Sequence, residues 1–259
     1  MRDLKRIRDD EPSKATGAGR WRALLIAAPA ITYVVLWAGG AGHYLFIGAV
    51  AAERNWLASA FLAVAGALVL LTTSSRGDFL RLVAVAGFGL LVELCGVYYG
   101  LPFGRYAYTG VLQPVVYGVP VVMAFAWMTL IAYLQQAGSR LSLPPFTGAL
   151  VLSAWMTAID LVIDPLAANQ LGYWRWVERG CYYGIPLSNF AGWFVASLSI
   201  FALLRGREWR PNLWHRLTGA SIILFFTLIA LSFQLWTATV VGLLLCAFDV
   251  LLHMKRRRS

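Results

Sequence analysis

Charge is scarce in this chain. Charged residues make up 13% of the 259 positions, against roughly 25% in a soluble globular domain. Acidic charge is the scarcer sign, with 12 Asp and Glu against 22 Lys and Arg. The shortage falls in long uncharged runs, which excludes a soluble enzyme, a disordered protein and a disulfide scaffold. Cys95, Cys181 and Cys246 lie far apart and make no CxxC, and His43, His215 and His253 are equally scattered. No zinc or redox spacing exists, so no metal and no other cofactor is expected, and the cysteines read as buried and inert.

What is present is apolar surface. Hydrophobic residues make up 59% of the chain, and mean hydropathy is +0.67. Stretches free of Lys and Arg run at 23–42, 56–73, 82–100, 115–136, 145–166, 182–204, 217–235 and 236–252, each near the length of about 20 residues that crosses a bilayer as a helix. The pattern predicts an all-α polytopic bundle of eight transmembrane helices, with seven as the alternative. The first helix either continues past Gly39-Gly40 or breaks there, and 217–248 is either one long helix or a tight hairpin. Eight spans with a cytosolic N-terminus put eighteen of the 22 basic residues inside and four outside (Arg54, Arg105, Arg175 and Arg179); seven spans weaken that bias to fourteen against eight. The positive-inside tendency favours eight. The expected layout is a basic cytosolic tail over 1–22, a single membrane domain over 23–252 with its site in 89–195, and a second basic cytosolic tail over 253–259. The chain reads as an integral, multi-pass cell membrane protein with both termini cytosolic. The first 22 residues carry four acids among the basics, read as a mobile tail rather than a signal peptide. The net charge of +10 is then ascribed to topology and anionic lipid headgroups, not to nucleic acid.

The sequence echoes itself. Tyr117-Gly118-Val119-Pro120 returns as Tyr183-Gly184-Ile185-Pro186, and Trp127 matches Trp193 at the same offset; Gly104-Arg105-Tyr106 stands where Gly172-Tyr173-Trp174 stands two residues later in register. The third and fourth spans read as a degenerate copy of the fifth and sixth, a parallel repeat whose junction is a common place for a site.

Three acids, Glu93, Asp160 and Asp164, fall well inside the expected spans. An ionised carboxylate at mid-bilayer costs several kcal/mol, so such residues point to function. Gly89, Glu93, Gly96 and Gly100 share one helix face, as do Ser153, Thr157, Asp160 and Asp164. The first stripe permits close packing; the second predicts an interior cleft. Because the third and fifth spans run the same way, all three acids belong to one leaflet, together with Arg105, Tyr106, Trp174 and Asn189. The structural alternative pairs an acid with Arg105 or Arg175, or lets Asp164 end its helix before Pro165. Most of the abundant aromatics suit an interfacial belt, while Trp127, Trp155 and Trp193 lie deeper, where a ring face can stabilise a cation.

The segments Glu93–Tyr108 (ELCGVYYGLPFGRYAY), Tyr117–Pro120, Trp155–Pro165 (WMTAIDLVIDP), Gly172–Trp174 and Tyr183–Trp193 (YGIPLSNFAGW) carry a resemblance. Over residues 90–195 the chain resembles the membrane-embedded carotenoid hydratases, the group of carotenoid 1′,2′-hydratases and bisanhydrobacterioruberin hydratases. The resemblance implies addition of water to the terminal double bond of an acyclic carotenoid end, with a carotenoid and water as reactants, membrane lipid around the protein, no nucleic acid, and association with neighbouring pathway enzymes as one option. It brings no established residue roles. Read from the residues, general acid–base work falls to Glu93, Asp160 and Asp164, an aspartate donating the proton and Glu93 or the other aspartate taking one from water. Arg105 is expected to hold a carboxylate ionised, Asn189 to position water, and Trp155 and Trp193 to face the cation. Tyr106, Trp127, Thr157 and Tyr183 complete the expected binding set. Two other readings stay open at this point: a proton-coupled carrier, which also uses buried acids on repeated hairpins, and a non-catalytic carotenoid- or lipid-binding protein.

Overall fold

A computed structural model describes residues 15–48 and 56–254. The N-terminal stretch expected as a mobile tail lies outside the described residues as far as position 14, as do Arg54 and the basic cluster 255–258. Among the described residues eight helices follow in order: α1 (Ala15–Phe46), α2 (Trp56–Thr72), α3 (Arg76–Tyr99), α4 (Val122–Gly138), α5 (Pro145–Asn169), α6 (Leu187–Leu204), α7 (Leu213–Ser232) and α8 (Trp236–Met254). Six of them are long and apolar enough to cross a membrane; α2 and α4 have 17 residues each. The protein is an all-α, multi-pass membrane bundle.

The two open helix boundaries are settled by local chemistry. α1 runs through Gly39-Gly40 without a break. Residues 213–254 form a tight helical hairpin, because Gln234 turns left-handed (φ 57°) and the chain reverses between Ser232 and Trp236. Two expected spans start later than the hydropathy suggested. Residues 115–120 form a small hairpin of β2 (Val115–Val116) and β3 (Val119–Pro120), and Tyr182 bridges to Ile185 in a matching turn. In both turns the Tyr-Gly pair takes positive φ, 50° and 80° at Tyr117-Gly118 and 51° and 82° at Tyr183-Gly184, the conformation of a two-residue hairpin. The sequence echo is therefore also an echo of backbone shape.

α4 is the hub. It packs against α2, α3, α5 and α7, and Trp127 through Leu134 are all buried. The α3–α4 and α5–α6 connections meet at one end of the bundle. There β1 (Tyr106–Tyr108) pairs antiparallel with β4 (Trp174–Trp176), Tyr106 opposite Trp176, Ala107 opposite Arg175 and Tyr108 opposite Trp174. Positions equivalent in the two copies exchange across the Ala107–Arg175 pair, which marks a local two-fold. At the opposite end, Arg81 donates to the Glu208 carbonyl (2.8 Å), Asn212 to the Thr72 carbonyl (3.0 Å) and Gln136 to the Arg210 carbonyl (3.1 Å). The basic connectors 76–81 and 205–216 thus gather away from the acid-bearing end.

Candidate functional site

The glycine stripe of α3 explains how an acid is accommodated in the bundle. A Cβ on Gly89 would lie 2.5 Å from the Trp127 ring, and one on Gly96 would lie 2.6 Å from the Tyr106 hydroxyl. Both contacts are closer than atoms tolerate, so only glycine lets these two rings approach α3. They arrive one turn to either side of Glu93 and bond to it. Tyr106 donates to Glu93 Oε2 (2.5 Å), Tyr108 to the same oxygen (2.8 Å) and Trp127 Nε1 to Oε1 (3.0 Å). Three donors replace water around a carboxylate that is 3% exposed. Tyr106 and Tyr108 belong to β1, beyond the membrane helices. Burial first, and the Glu93 charge second, push both phenols well above the usual tyrosine range, so both remain donors.

The second copy builds a different acid site on the same plan. Asp160 and Asp164 project from α5 one turn apart, 4% and 1% exposed. Asn189, in the first turn of α6, donates through Nδ2 to Asp160 Oδ2 (2.7 Å) and to Asp164 Oδ2 (2.9 Å). Trp174 of β4 donates through Nε1 to Asp164 Oδ1 (2.6 Å). Tyr106 and Trp174 are equivalent in the repeat, and each pins the acid of its own copy. Asp164 does not end its helix: α5 continues to Asn169 through Pro165. Pro165 has no N–H to offer the Leu161 carbonyl, and the Tyr182 hydroxyl takes that carbonyl instead (2.9 Å).

Glu93 and Asp164 face one small cavity, with Tyr106, Tyr108, Asn189 and Trp193 among its walls; its volume is about 20 Å³, room for about one water molecule. Across a partition of Met123, Trp174 and Trp193 is a second cavity of about 60 Å³, whose wall is apolar except for Asp160. Trp193 stacks on Trp127, so the partition is itself built at the junction of the two copies.

Four expected site residues are elsewhere. Arg105 is exposed and makes no ion pair with an acid of the site among the described residues; strand alternation turns Tyr106 and Tyr108 inward and Arg105 outward. Trp155 packs against Tyr133 and Phe248, on the α8 side of α5. The Thr157 hydroxyl bonds back to the Ser153 carbonyl (3.0 Å), and Ser153 to the Ala149 carbonyl (2.7 Å), so the polar stripe lines a cleft only at its two aspartates. Tyr183 ties its turn to α8 by accepting from the Thr237 amide (3.1 Å). Asn189 holds the aspartate pair directly. Tyr108, Trp174, Phe103 and Met123 were not among the expected site residues; Tyr108 and Trp174 stood in the aromatic-rich segments, but only their pairing across β1 and β4 distinguishes them from belt residues.

The chain belongs to a family of membrane proteins of carotenoid biosynthesis: the sequence profile described as "Carotenoid biosynthesis protein" matches residues 54–249. A curated relative, the bisanhydrobacterioruberin hydratase of Haloarcula japonica, is 35% identical over 135 residues. That stretch covers 48% of this chain and 43% of the relative, so the chain spans less than half of that protein. No solved structure matches it.

Proposed function

We propose that this protein is a carotenoid hydratase, a hydro-lyase adding water across the terminal 1′,2′ double bond of an acyclic carotenoid end, as in lycopene, γ-carotene or a C50 bisanhydrobacterioruberin type. The observation that carries the reading is the division of the acids between two adjoining cavities, one water-sized and polar, the other apolar with Asp160 in its wall. The matched hydratase relative supports the same reaction.

In this mechanism the alkene end lies in the apolar cavity. The Asp160 carboxyl hands its proton to C-2′, and the π electrons form the new C–H bond, leaving a tertiary cation at C-1′. A water molecule between Glu93 and Asp164 attacks C-1′ as the Met123 side chain of the partition turns aside, and its released proton goes to Asp164. That proton returns to Asp160, one helical turn away on the same Asn189 amide, and restores the starting state. Glu93, met by donors from Tyr106, Tyr108 and Trp127, offsets the passing positive charge in its ionised form. Trp193, in the partition, presents a ring to the cation. The acid and base tasks thus fall to groups in different surroundings. No step draws on a metal or another cofactor. The basic connectors and tails are assigned to the cytosol, with both termini inside, which puts the reaction in the outer leaflet.

The carrier reading finds less support, because α3 to α6 are unbroken helices, where carriers use interrupted ones at their sites. The test is co-expression with lycopene or γ-carotene synthesis. A product heavier by one water, lost in Asp160→Asn and Asp164→Asn proteins that still insert in the membrane, supports the hydratase. Unchanged pigment with the wild type, or full activity in both variants, overturns it.

A further inference from the structure

A third and larger cavity, of about 360 Å³, lies beyond the two at the acids. Its volume is within the range of small-molecule sites. α1, α2 and α7 form most of its wall, through Val35, Gly39, Phe61, Leu62, Phe225 and Phe226. Leu62, Tyr173 and Phe226 also line the apolar cavity that holds Asp160, so the two meet at these three side chains. The outer wall is thin for a local reason. α1 is fastened to α7 where Trp37 donates to the Ser221 carbonyl (2.8 Å) and Tyr33 bonds the Ser221 hydroxyl (2.8 Å). One turn further on, α1 reads Ala38-Gly39-Gly40-Ala41-Gly42. Among the described residues no neighbour comes within 4 Å of a Cβ built at Gly39, and Val35 and Gly39 are exposed. The cavity therefore opens sideways among the described residues, at a face of α1 within an apolar span.

We infer that this lateral cavity binds the polyene chain of a long acyclic isoprenoid, which enters from the bilayer between α1 and the α2–α7 pair and reaches Asp160 past Leu62, Tyr173 and Phe226. The inference rests on the hydratase reading and names the substrate's path within it. A long polyene matches the observations: the walls are mostly apolar and aromatic, with His43 and Gln170 the polar exceptions, the far end narrows to a cavity large enough only for an end group, and the near end is open so that the rest of the chain stays in lipid.

The test uses the full-length protein in lipid vesicles containing lycopene, with Asp160→Asn as a background that stops turnover. Gly39→Phe adds a ring at the mouth of the cavity, where a Cβ meets nothing within 4 Å among the described residues. Gly42→Phe also adds a ring to open space on α1, but outside the cavity. Gly39→Phe is expected to weaken lycopene retention about tenfold, while Gly42→Phe leaves it unchanged. Equal retention in the two overturns the inference. The two readings fail separately. If the Asp160→Asn protein retains lycopene in a Gly39-dependent way but the wild type never hydrates it, the hydratase reading falls and the binding cavity stands. If the wild type hydrates lycopene and Gly39→Phe does so with the same kcat/KM, the cavity is not the route and the hydratase stands.

Discussion

Trp127 and Trp193 lie face to face, ring centroids 4.3 Å apart and planes 16° from parallel. The two are equivalent positions of the internal repeat, so the copies touch through the same residue. On one side Trp127 binds Glu93; on the other Trp193 borders the cavities that hold Asp164 and Asp160. The stack thus joins the acid sites of the two copies.

Trp127→Phe keeps a stacked ring and deletes the Nε1 donor. A hydrogen bond to a charged group is worth ~1.5–3 kcal/mol, so activity should fall ten- to about a hundredfold while the bundle still assembles. Product formation per inserted protein checks this.

Tyr106→Phe should lower activity more than Tyr108→Phe, since Tyr106 makes the shorter bond and is the more buried of the two. Raised phenol pKa values mean that the neutral, donating form persists across the working pH range. The alkaline limb of the pH–rate profile of Tyr106→Phe should stay where it is in the wild type. A displaced alkaline limb would show that the phenol titrates.

Asn189→Ala removes the only side chain that bonds both Asp160 and Asp164 among the described residues. Leaving a buried polar group unpaired costs ~1–3 kcal/mol, more for a charged one. The thermal midpoint should drop and hydration should be lost, whereas Asn189→Gln, which keeps the amide, should recover part of both.

The glycines of α3 separate packing from propensity. Gly89→Ala and Gly96→Ala force Trp127 or Tyr106 away from Glu93 and should destabilise by ~1–3 kcal/mol. Gly87→Ala, exposed on the same helix with nothing within 4 Å among the described residues, should be neutral or stabilise by ~0.5–1 kcal/mol. Thermal unfolding in detergent compares them directly.

Arg105→Gln tests strand alternation. The side chain points away from the carboxylates, so activity should remain within about twofold of wild type, as for most exposed substitutions. A large loss would mean that Arg105 meets an acid during turnover.

The amino-acid sequence alone determined the helices and the end of the bundle at which the acids collect. Hydropathy locates each span, with the starts of α4 and α6 delayed by the Tyr-Gly turns; the number of spans between α3 and α5 sets their common direction, and the polar residues must then share a leaflet. It also determined the repeat, because Tyr-Gly turns and paired tryptophans keep their spacing. Only the tertiary structure decided which groups surround each carboxylate. Those partners reach the acids from β1, β4 and α6, across a ladder whose register no local pattern specifies. A shift of one residue there would turn Arg105 inward and Tyr106 out. The fate of the α5 stripe was likewise a tertiary matter: Ser153 and Thr157 satisfy themselves on their own helix, whereas a carboxylate, which only accepts, has to be met by donors from another part of the fold.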